Sequence, residues 1–128
     1  MSLKDQLRIM VVDDMSTSRG LIVQALDAMG ITQVGHATDG PSAIGALDKA
    51  PVHLVISDFN MPGMDGLQLL QHLRANPKTK GVGFILITGR ADKEIVDAGK
   101  ALGMNNFIKK PFTPVELKGC IEAVVGRL

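Results

Sequence analysis

Five short runs of apolar residues punctuate this sequence, and between them the hydrophobic spacing changes from strand-like to helical. The runs are Ile9-Met10-Val11-Val12, Gln33-Val34-Gly35-His36, Leu54-Val55-Ile56, Phe84-Ile85-Leu86-Ile87 and Asn106-Phe107-Ile108, each bounded by turn residues or charge. The first, third and fourth are continuous rather than alternating, as a strand covered by helices on both faces requires. Between the runs, apolar residues recur on single helical faces: Leu21, Ile22, Ala25, Leu26 and Met29, and at the end Leu117, Cys120, Ile121, Val124, Val125 and Leu128. A second helix opens at Gly40-Pro41 with Ala43, Ile44 and Leu47; a third carries Leu67, Leu70 and Leu73; a fourth carries Ile95, Val96 and Leu102. Ser16 is expected to cap the first helix, and Thr113 with Glu116 forms a capping box around Pro114. Gly30 and Gly103 stand where helices end in a left-handed residue. Strict strand-helix alternation predicts a doubly wound α/β domain with a parallel sheet and helices on both faces.

The 128 residues suit one domain, and the last helix reaching Leu128 leaves no expected output domain, so the reading is a single domain over 1–128. With 45% hydrophobic and 21% charged residues and a net charge of +1, the chain is globular and advertises no nucleic-acid surface. Its four aromatics are all Phe, too few for a stacking platform. No signal-peptide core or membrane-length apolar run occurs, and the single Cys120 suits a reducing compartment, so a cytoplasmic location is expected.

Open α/β sheets bind ligands outside the carboxyl ends of their strands. After the first strand comes Asp13-Asp14, after the third Asp58, after the fourth Thr88, and after the fifth Lys110-Pro111. Taken alone, each has an ordinary reading as a solvated turn, a cap or a surface charge; together, after four different strands, they point to one rim. Crowded carboxylates stay ionised only with a cation between them, and Mg²⁺ with its preference for oxygen donors is the candidate. Lys110 and Thr88 could then contact phosphoryl oxygens, and Asp58 could be the nucleophile. No phosphate-cradling glycine loop follows any strand, so the phosphate must arrive on another molecule. His36, His53 and His72 stand at no position suited to a catalytic base.

The acidic pair, Asp58-Phe59-Asn60-Met61-Pro62-Gly63-Met64-Asp65-Gly66, Thr88-Gly89 and Lys109-Lys110-Pro111-Phe112 occur in order. This pattern resembles response-regulator receiver domains, and among them CheY-type single-domain chemotaxis regulators, over essentially the whole chain from residue 8. The resemblance implies a flavodoxin-like strand order 2-1-3-4-5. It implies Asp58 as phosphoacceptor, with Asp14, Asp58 and the backbone carbonyl of Asn60 as direct Mg²⁺ ligands and Asp13 acting mainly through metal-bound water. Thr88 and Lys110 would contact the phosphoryl oxygens, and the Lys110-Pro111 bond is expected to be cis. Phe107 falls at a switch position, and Asn60 and Arg90 at positions that set phosphoryl lifetime.

The same resemblance implies a signalling domain rather than an enzyme, a monomer that takes its phosphoryl group from a histidine kinase and binds a flagellar motor component. A phosphate sink or phosphorelay intermediate is the alternative within the family. A Mg²⁺-dependent aspartyl phosphatase or phosphotransferase is the alternative outside it, but that class expects a second Asp where Asn60 stands. A flavodoxin is disfavoured because Asp13-Asp14 would repel a phosphate and the chain has no Trp or Tyr. Met61 and Met64 read as packing beneath the Asp58 loop, Gly63 and Gly66 as backbone requirements, and Cys120 as a small core residue.

Overall fold

A computed structural model describes residues 3–89 and 93–128. A short helix α1 (Leu3–Gln6) leads into β1 (Arg8–Val12), α2 (Ser16–Ala28), β2 (Gln33–Ala37), α3 (Gly40–Lys49), β3 (Leu54–Asp58), α4 (Gly66–Ala75), β4 (Gly83–Thr88), α5 (Lys93–Ala101), β5 (Asn106–Lys109) and α6 (Pro114–Val125). All strand pairs are parallel, in the order β2-β1-β3-β4-β5. The predicted architecture and strand order are both realised.

Side chains alternate across a strand, so each strand feeds two cores. Ile9, Val11, Leu54, Ile56, Ile85, Ile87 and Ile108 pack with Ile22, Ala25 and Leu26 of α2 and Leu117, Cys120 and Ile121 of α6. Met10, Val12, Val55, Phe84 and Leu86 pack on the other face with Ala43 and Leu47 of α3 and Leu69, Leu70 and Leu73 of α4, and Ile95 of α5 joins at the margin. β3 is buried at every position and β4 at all but its first, which is why those segments read as unbroken apolar runs. β2, at the sheet edge, buries only Ala37 fully.

Several local devices match their sequence signals. Thr113 and Glu116 form the capping box, with Pro114 in the first helical turn, and Gly30 and Gly103 have φ of +87° and +94°. Three expectations need correction. The last helix, expected to reach Leu128, ends at Val125, where Gly126 caps it with φ +99°. Ser16 is the first residue of α2 and not its cap; the N-cap is Met15, without a side-chain cap bond. The turn is closed instead by Asp13, whose Oδ1 accepts from the Met15 backbone N–H at 3.0 Å. Leu21 does not face the core either. It is 63% exposed, because the α2 stripe centres on Ile22, Ala25 and Leu26, one helical step round. Asp39 and Asp65 cap α3 and α4 through their side chains, Asp65 in a full capping box with Gln68.

Candidate functional site

Parallel strands all present their carboxyl ends on one edge, and four adjacent strands deliver the candidate residues there. Hydrogen bonds carry the pairing past the strand ends: Asp13 N to Ala37 O at 3.1 Å, Phe59 N to Ile87 O at 2.8 Å, and Lys110 N to Thr88 O at 2.8 Å. These bonds fix the backbones from which Asp13, Asp58 and Lys110 project. The Lys110-Pro111 bond is cis. Gly66, at the start of α4, lies so close to the acceptor segment that a Cβ there would stand 2.6 Å from the Asp58 carbonyl oxygen and 2.8 Å from Leu86 Cδ1. Gly63 turns the same loop with φ +76°.

Asp13, Asp14 and Asp58 each offer a carboxylate oxygen, all within 4.8 Å of one another. Asp13 has no exposed surface and Asp58 only 5%, while Asp14 is open to solvent. Lys110 Nζ lies 3.3 Å from Asp58 Oδ1. Burial pushes the Asp58 carboxyl above its ordinary range; Lys110 opposes this, and repulsion from Asp13 adds to it. Among the described residues, Asp13 Oδ2 is the one buried side-chain oxygen or nitrogen without a hydrogen-bond partner. A buried carboxylate with one unpaired oxygen, grouped with two further carboxylates, is an arrangement that a divalent cation satisfies and a neutral donor would not fully offset. The donors are all oxygen, which suits a hard ion such as Mg²⁺.

The family model of the response regulator receiver domain matches residues 9–122. This chain is a member of that family. The receiver is 44% identical over 128 residues to a Rhizobium etli protein named "Probable chemotaxis protein CheY", covering 100% of this chain and 99% of that one. It is 37% identical over 127 residues to chemotaxis protein CheY-3 of Vibrio cholerae, covering 98% and 97%. Among solved structures, Vibrio cholerae chemotaxis protein CheY4 superposes with a TM-score of 0.87 at 30% identity, covering 92% of the receiver and 98% of that chain.

Around this receiver pocket the other expected residues are distributed unevenly. Thr88 ends β4 and is 1% exposed. Asn60 is exposed in the loop that leaves Asp58. Phe107 pairs with Leu86 in the sheet register and is half-buried against the core shared by α3 and α4. Arg90 lies outside the described residues. Met61 is buried and Met64 packs against Gly40 at the start of α3, so both serve the loop beneath Asp58. Cys120 is buried on α6.

Two residues of the pocket escaped the sequence reading. Arg19 Nη1 donates to the Asp13 carbonyl oxygen at 2.8 Å, and Ser18 Oγ accepts from Lys110 Nζ at 3.2 Å. Both stand on α2, where only their distance from the acidic pair could have marked them. The Ser18 contact spans 92 positions of sequence.

Proposed function

We propose that this receiver domain accepts a phosphoryl group on Asp58 from a phosphohistidine of a partner kinase and thereby changes which protein it binds. The observation that carries the reading is the buried Asp58 carboxylate, paired with the ammonium of Lys110 and grouped with the buried, partly unpaired carboxylate of Asp13. In the transfer, an Asp58 oxygen forms a bond to phosphorus while the phosphorus–nitrogen bond of the donor breaks, its electron pair leaving with the imidazole. Asp13, Asp14, Asp58 and the Asn60 carbonyl would hold Mg²⁺, with Asp13 acting mainly through bound water. When bound, the ion neutralises charge on the phosphoryl oxygens. Lys110 supplies a second point charge, and the Thr88 hydroxyl a donor, to the same oxygens.

Phosphorylation replaces one negative charge with roughly two and adds acceptor oxygens beside Thr88. That favours an inward shift of Thr88 and of the half-buried Phe107 two strands from Asp58. The nearby helix α5 is lightly anchored, with Gly99 its one fully buried residue, so it is the element whose position such a shift most readily biases. The names of the relatives extend the reading to chemotaxis. The domain then works as a cytoplasmic monomer, signalling rather than turning over a separate substrate, and its output is binding to a flagellar motor component. No helix among the described residues is long and apolar enough to cross a membrane.

The test is intact-mass analysis after acetyl phosphate treatment, with and without Mg²⁺. The expected result is one added phosphoryl group, dependent on Mg²⁺ and absent from Asp58→Asn. Equal labelling of Asp58→Asn would overturn the assignment. Docking of the labelled protein to motor components, set against rapid phosphoryl loss without docking, separates a motor ligand from a phosphate sink.

A further inference from the structure

Lys110 is held from two sides. Its ammonium lies 3.3 Å from Asp58 Oδ1 and 3.2 Å from Ser18 Oγ, in the first turn of α2. Both the lysine and the serine are half-buried. Next to them runs a cleft of about 610 Å³ whose walls include Leu21, Ala25, Phe112 and Pro114; among the described residues, Thr17 is its one polar side chain apart from Ser18 and Lys110.

We propose that Ser18 is a positioning residue for phosphoryl transfer, its hydroxyl holding the Lys110 ammonium over the Asp58 carboxylate. The inference rests on the phosphoacceptor reading of Asp58. A lysine ammonium rides on a flexible four-carbon stem, so a single ion pair leaves it several ways to meet its partner. A second anchor on a different element narrows that choice before the phosphodonor arrives, which is the part of catalysis that orientation supplies. A hydroxyl suits the task because it is neutral: it orients the ammonium without cancelling the charge that the phosphoryl oxygens need. A carboxylate in its place would compete with them.

The contact also outlasts the reaction. Once an Asp58 oxygen is bonded to phosphorus, the ion pair that held Lys110 there is weakened, and the ammonium turns to the phosphoryl oxygens. Ser18 contains no reacting atom, so its bond to Lys110 stays in place through the transfer.

The experiment measures the initial rate of Asp58 labelling by acetyl phosphate in saturating Mg²⁺, using the full chain. Ser18→Ala is expected to slow labelling roughly fivefold, the size of an ordinary net hydrogen-bond contribution, because Lys110 keeps its ion pair with Asp58, while Ser18→Thr stays within about twofold of the parent. Thr17→Ala removes the neighbouring hydroxyl of the same cleft and leaves the rate unchanged. In a Lys110→Ala background, Ser18→Ala adds no further loss, because a positioning residue has no effect without the group it positions. Parental labelling by Ser18→Ala, a matching loss in Thr17→Ala, or a full additional loss in the Lys110→Ala background would each overturn the proposal.

A second readout needs no phosphodonor: the side-chain ¹⁵Nζ resonance of Lys110 shifts in Ser18→Ala and not in Thr17→Ala. Its failure to move counts against the contact itself. Absence of labelling in the parent protein would count instead against Asp58 as acceptor.

Discussion

Replacing Asp13 with Asn isolates the charge balance of the pocket from any phosphoryl chemistry. The amide oxygen can keep the bond that Asp13 Oδ1 accepts from the Met15 N–H, so the turn into α2 is preserved. The amide nitrogen replaces the orphaned Oδ2 with a donor on a side chain grouped with two carboxylates. Like charges no more than 4.8 Å apart repel by about 3.5 kcal/mol at an effective dielectric near 20. Lys110 offsets part of this at Asp58, and solvent screens the exposed Asp14, which leaves a net gain of about 1–2 kcal/mol for the metal-free mutant. For a domain of this size that raises Tm by roughly 3–10 °C.

Far-UV circular dichroism is the suitable probe, because the chain has no Trp or Tyr to report by fluorescence. In chelator Asp13→Asn should melt above the parent. In millimolar Mg²⁺ the parent should gain and the mutant gain far less, since its affinity for the ion is expected to fall at least about tenfold. The sign also depends on pH. Asp58 holds its proton more tightly folded than unfolded, so its ionisation penalty is present above the raised folded value and gone below the ordinary carboxylate range. The advantage of Asp13→Asn in chelator therefore shrinks as pH falls through that window. A mutant that melts below the parent in chelator at neutral pH, or that gains as much from Mg²⁺, would refute the argument.

Lys110→Ala is expected to accept some phosphoryl group yet fail to switch; target binding compared at equal phosphorylation decides this, and normal binding would reject the role. Arg90→Ala should release phosphate faster than the parent at matched Mg²⁺ if Arg90 shields the aspartyl phosphate, and a slower or unchanged rate counts against shielding. Burial raises the Cys120 thiol to about 11, so at pH 8 only roughly one thiol in a thousand is ionised, and native protein should react with thiol reagents far more slowly than denatured protein. Prompt stoichiometric reaction of the native chain would show that α6 opens. Gly66→Ala should cost about 1–3 kcal/mol and slow Asp58 labelling, because the added methyl must displace the acceptor's own backbone or Leu86; parental Tm and labelling would contradict that reading.

How legible these features were in the sequence depends on how local their causes are. β3 and β4 stood out because burial on both faces leaves no polar position to break the run, whereas edge strand β2 offers only Ala37 to full burial and hardly declares itself. The acidic pair, Asp58, Thr88 and Lys110 could be read because each ends a strand or follows one directly, and parallel topology turns that position into shared location. Ser16 misled because a serine at a helix start is usually a cap, while here Asp13 two residues before the N-cap takes the turn's donor. Ser18's role was not legible in the sequence: its partner is 92 residues away, in the segment that follows β5, and only the folded chain brings the two together.

The alternation of side chains along the strands has a consequence for how change spreads through the molecule. Val11 and Val12 are sequence neighbours, yet they belong to separate hydrophobic clusters. The sheet works as a partition one backbone thick, with α2 and α6 furnishing one room and α3, α4 and α5 the other. Ser18 stands on the first side and the Phe107 ring on the second, and the acidic pocket sits at the rim where the partition ends. The rim is therefore the place from which one event can address both.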